Sequence, residues 1–462
     1  MADTSVGTSK IDGLRNGPRQ VLSLTDATAL IVGIVVGAGI FRTPSLVASN
    51  SGSSEAFLGA WLLGGVISLL GILCYAELTT TFPNTGGDYH FLTRAYGRNI
   101  GFLFAWARLA VIQTGSIALL AFIFGDYASQ IFSIGENSSA FYAAFAVIAL
   151  TLINIAGIGL GTGTQKILTA AEVSGLLLIT VAGFFLIPGT AAVEAPPAET
   201  GGAFGLMMVF VLLTFGGWNE AAYISAEVKP DRRGRQQIAV AFLIGIVAIT
   251  ALYLLVNLAY LNALGLSGVA GSTAVGVDVM RLAFGDAGVV LIGVIVAISA
   301  LTSANATIFT GARTNYALGR DFSVFRTLGR WNTETGAPVN AFVVQGAIAL
   351  LLVFLGLITR KGFETTVEYT APVFWFFFLL VGAATIVLRI KEPTAKRPFR
   401  VPLYPIVPVL FCLTSAYLLY SSVAYTGIGA FIGVGVLILG ALVLVTLRTF
   451  SKSVQQPQEE IE

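Results

Sequence analysis

Charged side chains are scarce in this sequence. Of its 462 residues only 11% are Asp, Glu, Lys or Arg, whereas 56% are hydrophobic. A soluble globular domain carries about 25% charged residues, so this composition excludes a soluble globular fold. The formal net charge of +2 is too small to indicate a nucleic acid or an acidic partner.

Cysteine and histidine are nearly absent as well. The two cysteines, Cys74 and Cys412, both fall inside apolar runs, where cysteine is typically a small core residue. His90 is the only histidine. Because there is neither a cluster of metal ligands nor a nucleophile with a base, we expect no enzyme, no cofactor and no disulfide framework.

Long apolar runs are what the sequence has in abundance. Twelve of them reach about 20 residues, enough to cross the ~30 Å hydrocarbon core of a bilayer. We therefore expect an all-α polytopic membrane protein of about 12 transmembrane helices, with short interfacial helices near 84–97 and 273–284. The predicted spans are 24–48, 57–80, 99–125, 140–160, 167–188, 203–226, 236–262, 286–317, 338–358, 366–389, 402–424 and 427–448.

The lysines and arginines are distributed unevenly between the two sides of the predicted membrane. Sixteen of the 26 lie at connections that follow even-numbered spans, five more lie in the two tails, and only four lie on the opposite side. Positive charge marks the cytoplasmic side, so both termini are predicted to be cytoplasmic. The predicted organisation is a tail at 1–22, one transmembrane domain at 23–450 and a tail at 451–462.

Two of the predicted helices are interrupted by glycine. The first span contains Gly37-Ala38-Gly39 and the sixth contains Gly216-Gly217. A break at membrane depth frees backbone groups that no water can satisfy, and it is tolerated where those groups line a cavity or bind a ligand. The alternative is that these glycines only let helices approach closely.

The two breaks are five spans apart, which reverses the orientation of the second. That spacing predicts an inverted repeat of five helices plus five, with a substrate site between the broken helices. Repeat one would cover about 23–190 and repeat two about 203–390, leaving two additional C-terminal helices at about 402–448.

Helix ends at the breaks carry partial charges of both signs. Amides near Gly39 could hold a carboxylate, and carbonyls near Val35 and Phe215 could hold an ammonium group, a combination that suits an α-amino acid. The predicted substrate-binding residues are Val36, Gly37, Ala38, Gly39, Ile40, Phe215, Gly216, Gly217, Trp218 and Asn219.

Five segments carry a resemblance to a known family: GIVVGAGIF (33–41), LLGILCYAELTTTFPNTGGDYHFL (69–92), FGGWNEAAYISAEVKP (215–230), ANATIFTGARTNYALGRD (304–321) and RPFRVPLYPIVPVLF (397–411). The chain resembles the amino acid–polyamine–organocation (APC) superfamily, nearest the L-type amino acid transporter family. The resemblance implies the same five-plus-five fold in a cell membrane. It also implies that Ala38 and Gly39 meet a substrate carboxylate, while Phe215 and Asn219 meet its amino end or gate it.

That resemblance implies a secondary active transporter of amino acids that works by alternating access. Other possibilities remain open: exchange without ion coupling, transport of polyamines or other amines, and an amino-acid sensor of the same fold. A channel is disfavoured because channels typically use rings of polar groups in repeated subunits. In larger relatives a glycoprotein partner is linked through a cysteine after the third span. Residues 130–140 contain none, so no disulfide-linked heavy chain is expected, and we expect a monomer or homodimer.

Ionisable residues inside spans are costly and are functional candidates by default. Arg108 in the third span requires an acidic or carbonyl partner, and Glu220 and Glu172 are both available. Glu227, close to several basic residues at the end of the sixth span, is predicted to form a gate-type ion pair.

Ion coupling has two candidate sites. Glu172 lies where sodium-independent relatives carry a lysine that stands in for a cation, and a buried glutamate could carry H+ instead. Alternatively, Ser299, Thr302 and Ser303 resemble the sodium site of Na+-coupled relatives, which is completed by carbonyls equivalent to those of Gly33 and Val36. Hydroxyls and carbonyls are suitable ligands for a small hard cation. Uncoupled exchange is the third possibility, and no other metal site is expected.

Overall fold

The computed structural model describes residues 35–84, 86–156, 162–188, 203–220, 236–332, 335, 337–359, 361–424 and 427–454. Within these ranges the regular secondary structure is helical, apart from one isolated β-bridge between Asn332 and Ala337. The helices are α1 Gly39–Ser49, α2 Ser54–Thr81, α3 Gly87–Tyr96, α4 Arg98–Ala107, α5 Gln113–Ile131, α6 Ser138–Ile155, α7 Thr162–Val181, α8 Ala203–Thr214, α9 Gln236–Gly271, α10 Val275–Asp321, α11 Val339–Thr359, α12 Gly362–Lys391, α13 Ile406–Ala424 and α14 Ile428–Val454.

The all-α membrane architecture is confirmed. Ten helical stretches within the described residues are long and apolar enough to cross a membrane, and they correspond to predicted spans two to five and seven to twelve. The first and sixth predicted spans are represented by the shorter helices α1 and α8. Large apolar side chains such as Phe145, Phe185 and Phe431 are exposed on the outside of the bundle, as lipid contact requires.

Two helices run further than their predicted spans. α9 extends to Gly271 through a non-helical Gly265, and α10 begins at Val275, so it absorbs the predicted interfacial segment and bends at Gly285. Both glycines have positive φ, +66° and +62°. Only glycine adopts that conformation without steric cost, which is why each bend occurs where it does. The other predicted interfacial helix is present as α3.

Small residues set the spacing between the helices around the site. A Cβ added at Gly65 of α2 would lie 2.5 Å from Thr250 of α9, and one added at Gly71 would lie 2.6 Å from the Trp218 ring. Contacts this short require glycine, so α2 lies directly against α9 and the segment after α8.

A buried ion cluster joins α2 to α12 and the segment that follows α12. The carboxylate of Glu77 accepts hydrogen bonds from Arg389 at 2.7 and 2.5 Å and from the Val401 amide at 2.7 Å, and Arg397 lies 3.3 Å away. Full pairing is what makes a buried charge tolerable, so this cluster stabilises the packing of α2 against α12 and the segment that follows α12, which are distant from α2 in sequence.

Candidate functional site

The two helix breaks lie next to each other. α1 begins at Gly39 with no side-chain cap at Ala38, so its first amides have no intrahelical acceptor. α8 ends at Thr214, and the chain then turns through Gly217, at φ +101°, into a short 3₁₀ turn at Trp218–Glu220. The hydroxyls of Thr43 and Thr214 are hydrogen-bonded at 2.5 Å, which joins the two broken helices directly.

A cavity of about 290 Å³ lies between these breaks. Its polar lining comes from α5, α8, the 3₁₀ turn at Trp218–Glu220, α10 and α12, besides the α1 backbone, while its apolar lining comes mainly from α5, α8 and α12. The polar side chains that line it are Gln113, Ser116, Thr214, Asn219, Glu220, Ser303, Thr307, Thr310 and Thr370. This combination of apolar walls and a few convergent polar groups is typical of a small-molecule site.

The predicted substrate residues divide into two groups. Six of them line the cavity: Gly37, Ala38, Gly39, Gly216, Gly217 and Asn219. The other four are buried outside its lining: Val36, Ile40, Phe215 and Trp218.

Phe215 and Trp218 pack behind the cavity in separate aromatic groups. Phe215 contacts the rings of Trp61 and Tyr253. Trp218 lies 5.0 Å from Tyr75, centroid to centroid, and also contacts Phe378 and Phe411. The glycine turn directs these two side chains away from the cavity. They pack behind the break after α8 and support it from that side.

Tyr253 of α9 was not predicted from the sequence. Its hydroxyl lies 2.9 Å from the carbonyl oxygen of Val35 and 3.2 Å from that of Thr214, and its side chain is fully buried. Its single hydroxyl proton is therefore shared between carbonyls at both breaks. The sequence shows only a tyrosine within an apolar run that also contains Tyr260, and such a tyrosine by itself indicates core packing.

Gln113 orders the opposite wall of the cavity. Its amide donates to the Thr307 carbonyl at 2.8 Å and to the Thr310 hydroxyl at 3.2 Å. Gln113 begins α5, directly after a π-helical turn at Arg108–Ile112. Such turns occur frequently at functional sites, and here the turn brings α5 and α10 together at the cavity.

Arg108 pairs with Glu220, which resolves the choice left by the sequence. The two groups form hydrogen bonds at 3.2 Å and 3.0 Å in a bidentate arrangement. Arg108 is only 2% exposed, whereas Glu220 is 30% exposed and lines the cavity. Because the charges balance, this edge of the cavity is electrically near neutral.

Glu172 of α7 lies elsewhere, beside Ser299 of α10. Both side chains are buried, and neither Glu172 Oε2 nor Ser299 Oγ has a hydrogen-bond partner in the described part of the chain. Thr302 donates to its own helix at Ile298, 2.8 Å away, whereas Ser303 lines the cavity. The other predicted coupling and gate residues, Gly33 and Glu227, lie outside the described residues.

The described residues contain no group of three or more His, Cys, Asp or Glu side chains that could hold a metal ion. Of the predicted coupling residues within the described ranges, Glu172 and Ser299 have unpartnered oxygens, Oε2 and Oγ. These oxygens could take either a proton or a small hard cation.

A second cavity of about 330 Å³ adjoins the first. Arg42 stands at its border, 3.0 Å from Glu364 and 3.6 Å from Asp126. The Phe363 ring lines both cavities and lies 5.6 Å from the Arg42 guanidinium carbon. These side chains join α1, α5 and α12 and separate the two cavities.

Comparison with known proteins extends over nearly the whole chain. The family model described as amino acid permease matches residues 22–450. The human b(0,+)-type amino acid transporter 1 is 30% identical over 415 residues, which are 87% of this chain and 82% of that protein. The human large neutral amino acids transporter small subunit 2 is 29% identical over 442 residues, which are 91% of this chain and 79% of that protein. The serine/threonine exchanger SteT of Bacillus subtilis is 28% identical over 411 residues, which are 88% of this chain and 92% of that protein.

Proposed function

Because this chain belongs to the amino acid permease family, we propose that it carries neutral amino acids across a membrane by alternating access. The observation that carries the proposal is the cavity between the start of α1 and the end of α8. Uncapped amides at one helix end and carbonyls at another can bind a carboxylate and an ammonium group at the same time.

The cavity volume supports a single amino acid as the substrate. At about 290 Å³ it is at the lower end of the range of roughly 300–1,000 Å³ for small-molecule pockets. In our proposal Gly37, Ala38 and Gly39 meet the carboxylate. The backbone at Gly216 and Gly217, with the Asn219 side chain, meets the amino end.

The charge balance supports a neutral substrate side chain. The ion pair at the cavity, Arg108 with Glu220, is internally compensated, and the other polar lining side chains among the described residues are uncharged. A cationic or anionic substrate side chain would be buried here without an opposite charge, which is costly. The relatives named above include a transporter of large neutral amino acids and a serine/threonine exchanger, which agrees with this preference.

Ion coupling at Glu172 is the second part of the proposal. The orphaned oxygens of Glu172 and Ser299 support a bound proton or cation at that contact, because buried polar atoms normally have a partner. If Glu172 and Ser299 bind neither a proton nor a cation, the protein is an uncoupled exchanger. For the whole protein we propose a plasma-membrane location with both termini cytoplasmic, and function as a monomer or homodimer without a disulfide-linked heavy chain.

Uptake into proteoliposomes tests the function. The purified protein is first screened by thermal shift against the twenty amino acids, because a ligand that binds only the native state raises its stability. Radiolabelled amino acids that stabilise it are then offered to proteoliposomes with and without internal amino acid. Saturable uptake of neutral amino acids supports the proposal. Binding without uptake indicates a sensor, and stabilisation only by polyamines overturns the substrate class.

A further inference from the structure

The part of the cavity wall formed by α10 carries only small or hydroxyl side chains. Its lining residues are Ser303, Ala306, Thr307 and Thr310. This spacing places them on one face of the helix. Our proposed function locates the carboxylate and amino groups of the substrate at the breaks beside α1 and α8. The substrate side chain is therefore left to meet this face of α10 and the adjoining parts of α5 and α12.

The hydroxyl groups on this part of the wall already use their protons within the protein. Four of them donate to the backbone carbonyl one helical turn earlier: Ser116 to Ile112 at 2.8 Å, Thr307 to Ser303 at 2.8 Å, Thr310 to Ala306 at 3.0 Å and Thr370 to Thr366 at 3.1 Å. Serine and threonine commonly form such bonds in helices. A hydroxyl has one proton and two acceptor lone pairs, so these side chains offer the cavity acceptors.

Gln113 has the same polarity. Its amide nitrogen lies 2.8 Å from the Thr307 carbonyl oxygen and 3.2 Å from the Thr310 hydroxyl. A carbonyl oxygen can only accept, so the group that faces it is the amide nitrogen, and both amide protons are engaged. The remaining atom, Oε1, receives no hydrogen bond from another described residue and is left as an acceptor.

We call the side chains of these five residues, Gln113, Ser116, Thr307, Thr310 and Thr370, the acceptor wall. The Ser303 hydroxyl differs from them, because it makes no hydrogen bond with another described residue and can donate or accept. On this side of the cavity acceptors therefore outnumber free donors.

We propose that the acceptor wall makes the site selective for neutral amino acids whose side chains carry a hydrogen-bond donor, a hydroxyl or a carboxamide, over apolar amino acids of the same shape. The inference rests on the proposed function, because it names the substrate class of that same site. An apolar side chain displaces water from the acceptor wall without replacing its hydrogen bonds, whereas a hydroxyl or an amide replaces them. A site that binds a substrate hydroxyl rejects the analogue without it for this reason.

The apolar lining of the cavity does not supply this discrimination. Side chains such as Leu119, Leu213 and Val367 favour any substrate with buried methyl groups. Threonine and valine have nearly the same shape and identical backbone groups, so the two differ mainly in one hydroxyl. Their relative affinity therefore isolates the contribution of the acceptor wall.

Isothermal titration calorimetry of the detergent-solubilised protein with L-threonine and with L-valine tests the proposal. We expect the Kd for threonine to be about tenfold lower, the effect of about one hydrogen bond. L-Asparagine should likewise bind more tightly than L-leucine. If valine binds as tightly as threonine, this inference is wrong and the proposed function stands. If no neutral amino acid binds, the proposed function fails and this inference fails with it.

Single substitutions locate the discrimination. Thr307→Val replaces a hydroxyl of the acceptor wall by a methyl group and keeps the shape of the side chain. It should weaken threonine binding about fivefold and leave valine binding unchanged. The matched control is Thr314→Val on the same helix, because the Thr314 hydroxyl donates in the same way, to the Thr310 carbonyl at 3.1 Å, but does not line the cavity. This control should retain the wild-type ratio of the two Kd values.

Two further variants test the proposal if Thr307→Val fails to fold. Ser116→Ala removes a hydroxyl of α5 without adding volume, and Thr370→Val removes one of α12. Each should lower the preference for threonine over valine. The ratio of two Kd values does not depend on the fraction of protein that is folded, so a general loss of stability does not mimic this result. A wild-type ratio in all three variants, or an equal loss in Thr314→Val, overturns the proposal.

Discussion

The hydroxyl of Tyr253 lies 2.9 Å from the carbonyl oxygen of Val35, at the break in the first span. The same hydroxyl reaches the carbonyl of Thr214 at the end of α8, 3.2 Å away. One side chain of α9 thus contacts backbone groups at both interrupted helices. Because Val35 and Thr214 both line the cavity, this contact helps to fix the geometry of the cavity.

Tyr253→Phe should weaken transport more than it weakens the fold. The ring packing against Trp61 and Phe215 is retained, but two buried carbonyls lose a donor, at a cost of about 1–3 kcal/mol. We expect the KM for uptake to rise about tenfold. Tyr260→Phe is the matched control, because Tyr260 is buried on the same helix and its hydroxyl has no hydrogen-bond partner among the described residues. Equal effects of the two substitutions would contradict the role of Tyr253.

Gly39→Ala should impair binding without destabilising the protein. An added Cβ would lie 3.7 Å from Thr214, an ordinary van der Waals contact, and alanine favours a helix by about 1 kcal/mol over glycine. The methyl group would nevertheless occupy the cavity beside the first amides of α1. We expect an unchanged or higher Tm and at least a tenfold loss of amino acid affinity.

The control for this substitution is Gly59→Ala in α2, an exposed glycine with no atom within 4 Å of an added Cβ. It gains the same helix propensity and should leave affinity unchanged. Full affinity in Gly39→Ala would remove the start of α1 from the substrate site.

Glu220→Gln should destabilise the protein by about 3 kcal/mol, because it leaves the Arg108 charge buried without its partner. The double variant Arg108→Gln with Glu220→Gln removes both charges and should recover most of the lost Tm. Thermal unfolding of the two single variants and the double variant measures the coupling. Additive losses would show that the pair contributes no interaction energy.

Glu172→Gln tests ion coupling. If Glu172 carries the coupling proton, the substitution should abolish stimulation of uptake by a pH gradient and leave amino acid exchange intact. Uptake of the wild type with and without sodium is measured in the same proteoliposomes. A wild type that responds to neither sodium nor a pH gradient would exclude both ion sites and leave uncoupled exchange.

Glu77→Gln should reduce the free energy of unfolding by about 3 kcal/mol, because Arg389 and the Val401 amide lose a buried acceptor. Glu392→Gln removes a bidentate partner of Arg94 as well, but that pair is exposed to solvent and should contribute at most about 1 kcal/mol. Both variants replace a carboxylate by an amide. The difference between their Tm values therefore measures the effect of burying the ion pair. Similar losses in both would contradict this assignment.

Much of the fold could be predicted from the sequence, because each relevant signal is local. The apolar runs are long enough to cross a bilayer, and glycines mark both breaks, so α1, α8 and the cavity-lining glycines were expected where they occur. The lining residue Gln113 and the connecting residue Tyr253 are different. Each is a single polar residue in an apolar or mixed segment, where the same pattern also fits a core or surface position.

Length, hydropathy and glycine placement determined that this chain is a helical membrane protein with two interrupted spans, because these properties depend only on neighbouring residues. Only the tertiary structure decided that Arg108 pairs with Glu220 and that Glu172 meets Ser299. It also turned Trp218 away from the cavity while Asn219 lines it. Such pairings join residues far apart in sequence, and they depend on the rotation and depth at which each helix packs, which the local pattern of one helix does not specify.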